Sequence, residues 1–289
     1  MVLSKLGSYF VIITCRNSEQ IIEKSIHAIQ NQTLKPEYII VIDDGSTDKT
    51  REKLLNIQAN TNNTSFFVIS HKDLGYDVTR VVKNWNEAIS FSYNNNLKPT
   101  DYHMISTDDT LYPPDYAQKI ISFMDNNPKI SCVSGEYTKV SGALPHGAGR
   151  IVRNSFFKNT IWNGYYPEQM GYESAILYES NRIGYDYTIL PSIRFEHIRP
   201  LGKEHKFKAF GASMKTLGYH PLYVFARFLK NVVTGTETGR MGAFFMLFFY
   251  LSFRPAKTGF NSLYDYQLRD YIKNLQKEKL KKLIRLNIF

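Results

Sequence analysis

Short apolar runs alternate with segments of helical periodicity through the first half of the chain, and this alternation restricts the folds that it can adopt. It favours a mostly parallel sheet with helices on both faces, an architecture common among nucleotide-binding proteins. Two more apolar runs follow a stretch rich in glycine and aromatic residues. The predicted strands are Tyr9–Thr14, Ile39–Ile42, Ser65–Ser70, Tyr102–Ser106, Ile130–Ser134, Thr188–Leu190 and Ile193–His197. The sequence therefore predicts an α/β fold.

The second predicted strand ends at two adjacent carboxylates. The apolar, β-branched run Tyr38–Ile42 stops at Asp43 and Asp44, and turn and helix-capping residues follow. In open α/β sheets, ligands bind beyond the carboxyl ends of the strands. A turn followed by a helix cap explains Asp48 better than it explains Asp43. Asp43 is therefore predicted to contact a bound ligand.

The fourth predicted strand repeats this arrangement. Tyr102–Ser106 is followed by Asp108 and Asp109, and a helix start with two prolines comes next. Adjacent carboxylates repel each other unless a cation lies between or beside them, and hard oxygen ligands suit Mg²⁺ or Mn²⁺. Two acidic pairs at two strand ends predict one shared crevice with a divalent metal, which would in turn hold phosphates.

Net charge and cysteine content narrow the partners and the compartment. The 289 residues carry a formal net charge of +10, which favours anionic partners such as nucleotide phosphates, anionic lipid headgroups or nucleic acid. Cys15 and Cys132 both lie in apolar, strand-like surroundings, as expected for reduced thiols of a cytosolic protein. Basic residues crowd towards the end, at Lys273, Lys277, Lys279, Lys281, Lys282 and Arg285.

Together these residues resemble the inverting glycosyltransferases of family 2, which have the GT-A fold and use nucleotide sugars and a divalent metal. The resemblance runs from about Ser8 to Arg199. It implies a GT-A catalytic domain, placed at residues 1–215, with a helical, apolar and basic C-terminal extension at residues 216–289. The matching segments, in the order and spacing of the family, are Phe10–Glu19, Asn31–Thr33, Asp43–Asp48 and Thr107–Asp109.

The resemblance assigns donor-binding roles to five residues. Thr14 and Arg16 would line the nucleobase pocket, where Arg16 replaces the tyrosine of many members and could stack on the base. Asp43 would accept a hydrogen bond from the base, and Arg80 would lie near the base or the diphosphate. Asp108 would meet the ribose or a metal-bound water.

The resemblance also implies a metal site and a general base. Asp109 would coordinate the cation that bridges the diphosphate, and His197 would complete the metal or diphosphate site beside Arg199. Ser106 stands where the commoner motif has its first aspartate. Glu173, at the start of a predicted helix, would take the proton of the acceptor hydroxyl; its alternative role is a first-turn carboxylate favoured by the helix dipole.

The predicted reaction is metal-dependent transfer of a sugar, with inversion, from a nucleoside diphosphate sugar to an acceptor hydroxyl. Mn²⁺ or Mg²⁺ is the expected cofactor, a UDP-sugar is the favoured donor, a glycan or lipid-linked acceptor is expected, and nucleic acid is not. A metal-dependent nucleotidyltransferase and a non-catalytic glycan- or lipid-binding module are the alternatives. The first of these usually has a glycine-rich phosphate loop after its first strand, and Thr14–Ser18 contains no glycine.

The most apolar window, Gly242–Phe253, raises the question of a membrane. As a helix it would be about 18 Å long, shorter than the bilayer core of about 30 Å. Two interpretations remain open: it lies in the membrane interface with help from the basic tail, or it packs internally. Met1–Gly7 shows no secretory signal, so a cytoplasmic location is expected, with the inner face of the membrane as a contact surface.

Overall fold

The computed structural model describes residues 6–61, 65–137, 144–199, 206–235 and 239–286. Backbone contacts divide the chain into two compact units. Unit 1 contains residues 1–166 and 183–200, and unit 2 contains residues 167–182 and 201–289. The boundary predicted at residue 215 stays a prediction.

Unit 1 is a sheet with helices packed on it. Its strands are β1 (Tyr9–Cys15), β2 (Tyr38–Asp43), β3 (Ser65–Ser70), β4 (Tyr102–Thr107), β5 (Thr110–Leu111), β6 (Ile130–Tyr137), β7 (Arg150–Arg153) and β8 (Asp186–His197). Its helices are α1 (Ile22–Gln30), α2 (Thr50–Asn60), α3 (Arg80–Asn94), α4 (Tyr116–Asn126) and α5 (Asn154–Lys158).

The strand order over the described residues is β3-β2-β1-β4-β7-β6-β8-β5. The first four strands are parallel, β7 is antiparallel to both of its neighbours, β8 is parallel to β6, and β5 is antiparallel to β8. The predicted α/β fold with a mostly parallel sheet flanked by helices is therefore confirmed.

One strand replaces the two that were predicted at Thr188–Leu190 and Ile193–His197. β8 continues through Pro191, and its pairing with β6 shifts register where Gly135 faces Leu190 and the next β6 residue faces Arg194. Proline has no N–H for the ladder, so the irregularity falls at the expected point. The apolar pattern breaks there, but the strand does not.

The central strands are covered on both faces. Val11 and Ile12 of β1 point to opposite faces of the sheet, and neither is exposed to solvent. Ile40 and Val41 repeat this arrangement in β2. Because the interior positions of these strands belong to the core, polar side chains accumulate where the strands end.

His103 is a buried histidine in the middle of this core. Its Nδ1 lies 2.6 Å from Oδ1 of Asn154, and its Nε2 lies 2.8 Å from the hydroxyl of Tyr166. Burial lowers the pKa of His103 to about 4 from an ordinary value of 6.5, although the contact with Asn154 opposes the change. The ring is therefore neutral at physiological pH.

We expect His103 to make the fold sensitive to acid. Between pH 6.5 and 4 the unfolded chain binds a proton that the folded chain does not, so stability should fall as pH falls, by up to about 3 kcal/mol. Urea unfolding at pH 7.5 and 4 measures this, and His103→Gln should flatten the dependence. The exposed His27 supplies the control, since His27→Gln should leave it unchanged. An equal acid loss in His103→Gln and the wild type would contradict the prediction.

Unit 2 is helical over its described residues. Helix α7 packs on α9, α8 packs on α9, and α10 contacts both α6 and α8. The most apolar window of the sequence forms most of α9. A membrane-crossing helix, long and apolar enough for the task, is not found among the described residues. The helices are α6 (Tyr172–Arg182), α7 (Lys206–Thr216), α8 (Pro221–Thr234), α9 (Gly239–Ser252) and α10 (Tyr266–Leu286).

Gly211 lets α7 and α9 approach closely. A Cβ atom at Gly211 would lie 2.6 Å from the carbonyl oxygen of Met246 and 2.7 Å from Cβ of Phe249. One of these is backbone and neither can swing aside, so the crossing depends on glycine.

We expect Gly211→Ala to destabilise unit 2. Alanine gains up to about 1 kcal/mol of helix propensity over glycine, but overpacking costs about 1–3 kcal/mol, so a net loss should result. Chemical denaturation followed by far-UV circular dichroism measures it. Ala209→Gly, at an exposed position of the same helix, isolates the propensity contribution. A Gly211→Ala chain more stable than the wild type would disprove the steric argument.

Candidate active site

Strand pairing aligns the carboxyl ends of β1, β2 and β4. Thr14 pairs with Ile42 on one side and with Thr107 on the other, and Cys15 pairs with Asp43. Because these strands are parallel, the residues that follow them emerge at the same edge of the sheet. The half-buried Thr14 and the buried Asp43 lie at this edge, as the sequence predicted.

Asp108 is held by three donors, two from the loop after β1 and one from the chain after β8. Its Oδ1 accepts a hydrogen bond from Nη2 of Arg199 at 2.5 Å, and its Oδ2 accepts one from the Ser18 hydroxyl and one from the Arg16 N–H at 3.4 Å. Burial raises the pKa of Asp108 above its ordinary value, although Arg199 and Ser18 oppose the rise. The carboxylate is thereby fixed in one orientation.

Asp109 lies beside His197. Oδ1 of Asp109 accepts a hydrogen bond from the Thr107 hydroxyl at 2.8 Å and lies 3.2 Å from Nδ1 of His197, while its Oδ2 lies 3.6 Å from Nε of Arg199. Burial alone would raise the pKa of Asp109, but hydrogen bonds from His197 and Thr107 outweigh it and hold that pKa below its ordinary value. Asp109 is therefore ionised at neutral pH.

The short β5 strand brings Asp109 and His197 together. Thr110 of β5 pairs with His197 of β8, and the N–H of Ile198 donates to the carbonyl of Asp109 at 2.8 Å. The two predicted metal ligands are 88 residues apart in sequence. Their proximity agrees with the shared site that the resemblance implied.

The donor set is compatible with a cation that shares its coordination with substrate. Among the described residues, no three or more histidine, cysteine, aspartate or glutamate side chains gather as a complete metal cage. Asp109 and His197 nevertheless offer an oxygen and a nitrogen ligand side by side. Mg²⁺ is usually bound through one or two carboxylates plus substrate phosphates and water, and imidazole suits transition metals. The pair fits such a cation.

Arg80, the first residue of α3, forms an ion pair with Asp44. Its Nε lies 2.9 Å from Oδ1 of Asp44 and its Nη2 lies 2.9 Å from Oδ2, a two-point contact that lysine could not reproduce. The same guanidinium also donates to the Gly75 carbonyl. Hydrogen bonding to Asp44 raises the pKa of Arg80 further.

Arg16 is held by the loop after β2. Its Nη1 donates to the carbonyls of Asp44 and, at 2.9 Å, Gly45, and its Nη2 lies 2.5 Å from Oδ1 of Asp73. Arg16 and Arg80 therefore both brace this loop. The contact of Arg16 with a nucleobase stays a prediction.

Hydrogen bonds join the loop after β1 to the loop after β2. The N–H groups of Glu19 and Thr50 donate to Asp48 at 3.1 and 2.9 Å, and the N–H of Lys49 donates to Glu19 at 3.0 Å. Asp43 belongs to the same structure, because its Oδ1 accepts the Ser46 N–H at 3.0 Å. The turn thus uses one oxygen of Asp43 and fixes the direction of the other.

Sequence reasoning missed two contributors to this region. Ser18 contacts Asp108 across 90 residues, and only its position directly after a strand could have pointed to it. Asp73, in the loop after β3, pairs with Arg16.

Ser106, at the position of the commoner aspartate, is fully buried with its hydroxyl 2.9 Å from that of Tyr112. It belongs to the core and supplies no ligand.

Glu173 lies in unit 2, in the first turn of α6, and is exposed. Glu179 of the same helix is fully buried, and its carboxylate lies 2.6 Å from Nε of Arg182. The burial of the Glu179 carboxylate is therefore accounted for by its ion pair with Arg182. The role of Glu173 as general base stays a prediction.

Comparison with known proteins identifies the family. The family described as Glycosyl transferase family 2 matches residues 10–184, more than half of the chain. The chain belongs to glycosyl transferase family 2, and the predicted resemblance is confirmed.

A curated relative is also a glycosyltransferase. An uncharacterised glycosyltransferase of Haemophilus influenzae is 30% identical over 153 residues, which are 53% of this chain and 42% of that protein. The chain spans less than half of the length of the curated relatives it matches.

Two solved structures share the fold at low sequence identity. The mannosyltransferase PcManGT of Pyrobaculum calidifontis, in complex with GDP-Man and Mn²⁺, has a TM-score of 0.54 at 15% identity, covering 86% of this chain and 70% of that one. TarS of S. aureus, in complex with UDP, has a TM-score of 0.52 at 14% identity, covering 71% and 63%. The predicted GT-A fold is confirmed.

Proposed function

We propose that this chain is an inverting glycosyltransferase that moves one sugar from a nucleoside diphosphate sugar to an acceptor hydroxyl. The observation that carries the proposal is the cluster of Asp108, Asp109, His197 and Arg199 at the end of β4. An anionic pair beside a guanidinium and an imidazole suits a diphosphate that arrives with a cation. Family membership supports the same chemistry.

Inversion requires a single displacement at the anomeric carbon. The acceptor oxygen attacks from the face opposite the leaving nucleoside diphosphate, and Glu173 accepts the acceptor's proton. Thr14, Arg16 and Asp43 hold the base, and Arg80 lies by the base or the diphosphate. The alignment of the ends of β1 and β2 supports a common site for the base-binding residues.

Asp109 and His197 would hold Mn²⁺ or Mg²⁺. A divalent cation there supplies positive charge that stabilises the departing diphosphate. Arg199 adds a guanidinium that can pair with a phosphate oxygen, since its side chain is 45% exposed and already lies at both carboxylates. Asp108 positions the ribose or a metal-bound water.

The proposed donor is a UDP-sugar, and the acceptor is a glycan or a lipid-linked glycan. TarS binds UDP and PcManGT binds GDP-Man, which supports a nucleotide sugar and leaves the base to experiment. The proposed place of action is the cytoplasm at the inner face of the membrane, where lipid-linked acceptors are presented.

Calorimetric titration of UDP, GDP and dTDP, each with and without Mn²⁺, tests the proposal. We expect one nucleotide to bind much more tightly than the others, and Mn²⁺ to strengthen its binding. Product analysis with the matching nucleotide sugars then follows transfer. If none of the three nucleotides binds under either condition, the proposal fails.

A further inference from the structure

Helix α9 is apolar around its whole circumference, but only one side of it is covered. Gly242, Ala243, Met246 and Tyr250 form the side that is buried within unit 2. A helix that is apolar all round normally lies in a protein core or against lipid. The other side carries Met241 (69% exposed), Phe244 (52%), Phe245 (49%), Phe248 (60%) and Leu251 (61%).

Helix α8 extends the same apolar surface. Phe228 of α8 contacts Phe244 of α9 with ring centroids 5.0 Å apart, which joins the two helices. The exposed large apolar residues of α8 recur every three or four positions and so lie on one side of it. They are Leu222 (66% exposed), Phe225 (50%), Leu229 (48%) and Val233 (73%). We call the exposed large apolar residues of α8 and α9 the α8–α9 face.

Positive charge is concentrated in the same part of the chain. Residues 221–289 contain twelve lysines and arginines against four aspartates and glutamates, a net charge of +8 out of the +10 of the whole chain. Arg240 and Arg254 flank the apolar run of α9, and Lys257 follows; all three are exposed. The apolar surface is therefore bordered by cations.

We propose that the α8–α9 face binds the surface of an anionic lipid bilayer. The phenylalanine and leucine side chains enter the boundary between headgroups and acyl chains, and Arg240 and Arg254 meet anionic headgroups. This deepens the proposed function by naming the surface that brings the chain to a lipid-linked acceptor, and it rests on that function only for the identity of the acceptor.

The positive charge of residues 221–289 favours an anionic bilayer over a second copy of the chain as the partner of the α8–α9 face. Two copies that met through this face would bring together two segments of the same charge, +8 each, and like charges at an interface oppose association. An anionic bilayer offers the opposite charge together with an apolar layer.

Sedimentation of the full chain with vesicles tests this inference. We expect binding to phosphatidylglycerol-containing vesicles at low salt, weaker binding at high salt because screening shortens electrostatic range, and little binding to pure phosphatidylcholine. Equal binding to both vesicle types at both salt concentrations would refute the electrostatic part.

Paired variants separate the apolar contribution from the charge. Phe248→Ser with Leu251→Ser should lower the partition coefficient for anionic vesicles at least about tenfold, whereas Leu74→Ser with Tyr76→Ser, exposed residues of unit 1, should leave it unchanged. Circular dichroism checks that each variant is folded. Vesicle binding that survives in the α9 variant would overturn the proposal.

Charge reversal provides a second variant that does not touch the apolar residues. Arg240→Glu with Arg254→Glu should abolish the preference for anionic vesicles. Lys24→Glu with Arg51→Glu changes the net charge equally within unit 1 and should retain most of the preference. Equal losses in the two variants would mean that net charge alone drives binding, against a specific face.

Two further measurements separate this inference from others. Light scattering reports oligomeric state: a wild-type dimer that dissociates in the α9 variant and binds no vesicles would show that a second copy covers the face. Nucleotide titration of the α9 variant should match the wild type. If the wild-type chain binds vesicles but no nucleotide, the proposed function is wrong and the membrane-binding proposal is still supported.

Discussion

Replacing Glu173 with glutamine is expected to lower the rate of glycosyl transfer by about 10²–10⁴-fold, with donor affinity unchanged. Glutamine keeps the length and hydrogen-bonding capacity of the side chain but cannot accept a proton from the acceptor hydroxyl. Steady-state kinetics with the identified donor and calorimetry with its nucleoside diphosphate measure the two quantities. The loss should appear in kcat, because the lost step belongs to the transition state.

Two controls make the Glu173 result interpretable. Glu52 is also an exposed, first-turn carboxylate, on α2, so Glu52→Gln reports the loss of a favourable helix-dipole interaction alone. Glu173→Asp keeps a base one methylene shorter and should retain more activity than the glutamine variant. Full transfer by Glu173→Gln would remove Glu173 from the mechanism.

Replacing Asp109 with asparagine is expected to uncouple nucleotide binding from the metal. The amide preserves the size of the side chain, but it removes the negative charge beside His197 that would hold a cation. The factor by which Mn²⁺ increases nucleotide affinity should then be at least about tenfold smaller than in the wild type. The rate of transfer should fall by about 10³-fold, equivalent to about 4 kcal/mol.

The control for Asp109 is a carboxylate with no place in the site. Asp115 is 40% exposed and pairs with Lys119 at 2.6 Å, so Asp115→Asn removes one negative charge without touching the cluster. It should retain wild-type behaviour in both assays. If Asp109→Asn shows the same Mn²⁺ dependence as the wild type, the cation is held elsewhere.

The parallel half of the sheet could be predicted from the sequence because its signal is local. β1 to β4 are apolar runs bounded by polar turns, and the burial of β1, β2 and β4 on both faces requires that composition. β5 and β7 were not predicted, because two and four residues carry too little pattern. Their pairing is decided by partners far away in sequence; β7, for example, pairs with both β4 and β6.

In the candidate site too, residues with a local sequence signal were predicted and contacts between distant loops were not. Asp43, Asp108 and Asp109 were predicted from their positions after strands, and the structure brings Asp108 and Asp109 to His197 and Arg199. The contact of Ser18 with Asp108 could not be predicted, since a serine after a strand has many possible partners. Likewise, no local pattern shows that Arg16 and Arg80 brace the loop after β2. Such contacts depend on how distant loops meet.

The two-residue ladder between β5 and β8 has a consequence for the order in which function can arise. It closes a loop of more than eighty residues, so it forms only after the sheet exists and gains little stability of its own. During synthesis the N-terminal strands can assemble well before His197 and Arg199 have left the ribosome. A nascent chain would thus assemble its N-terminal strands first and bring His197 and Arg199 to Asp108 and Asp109 last.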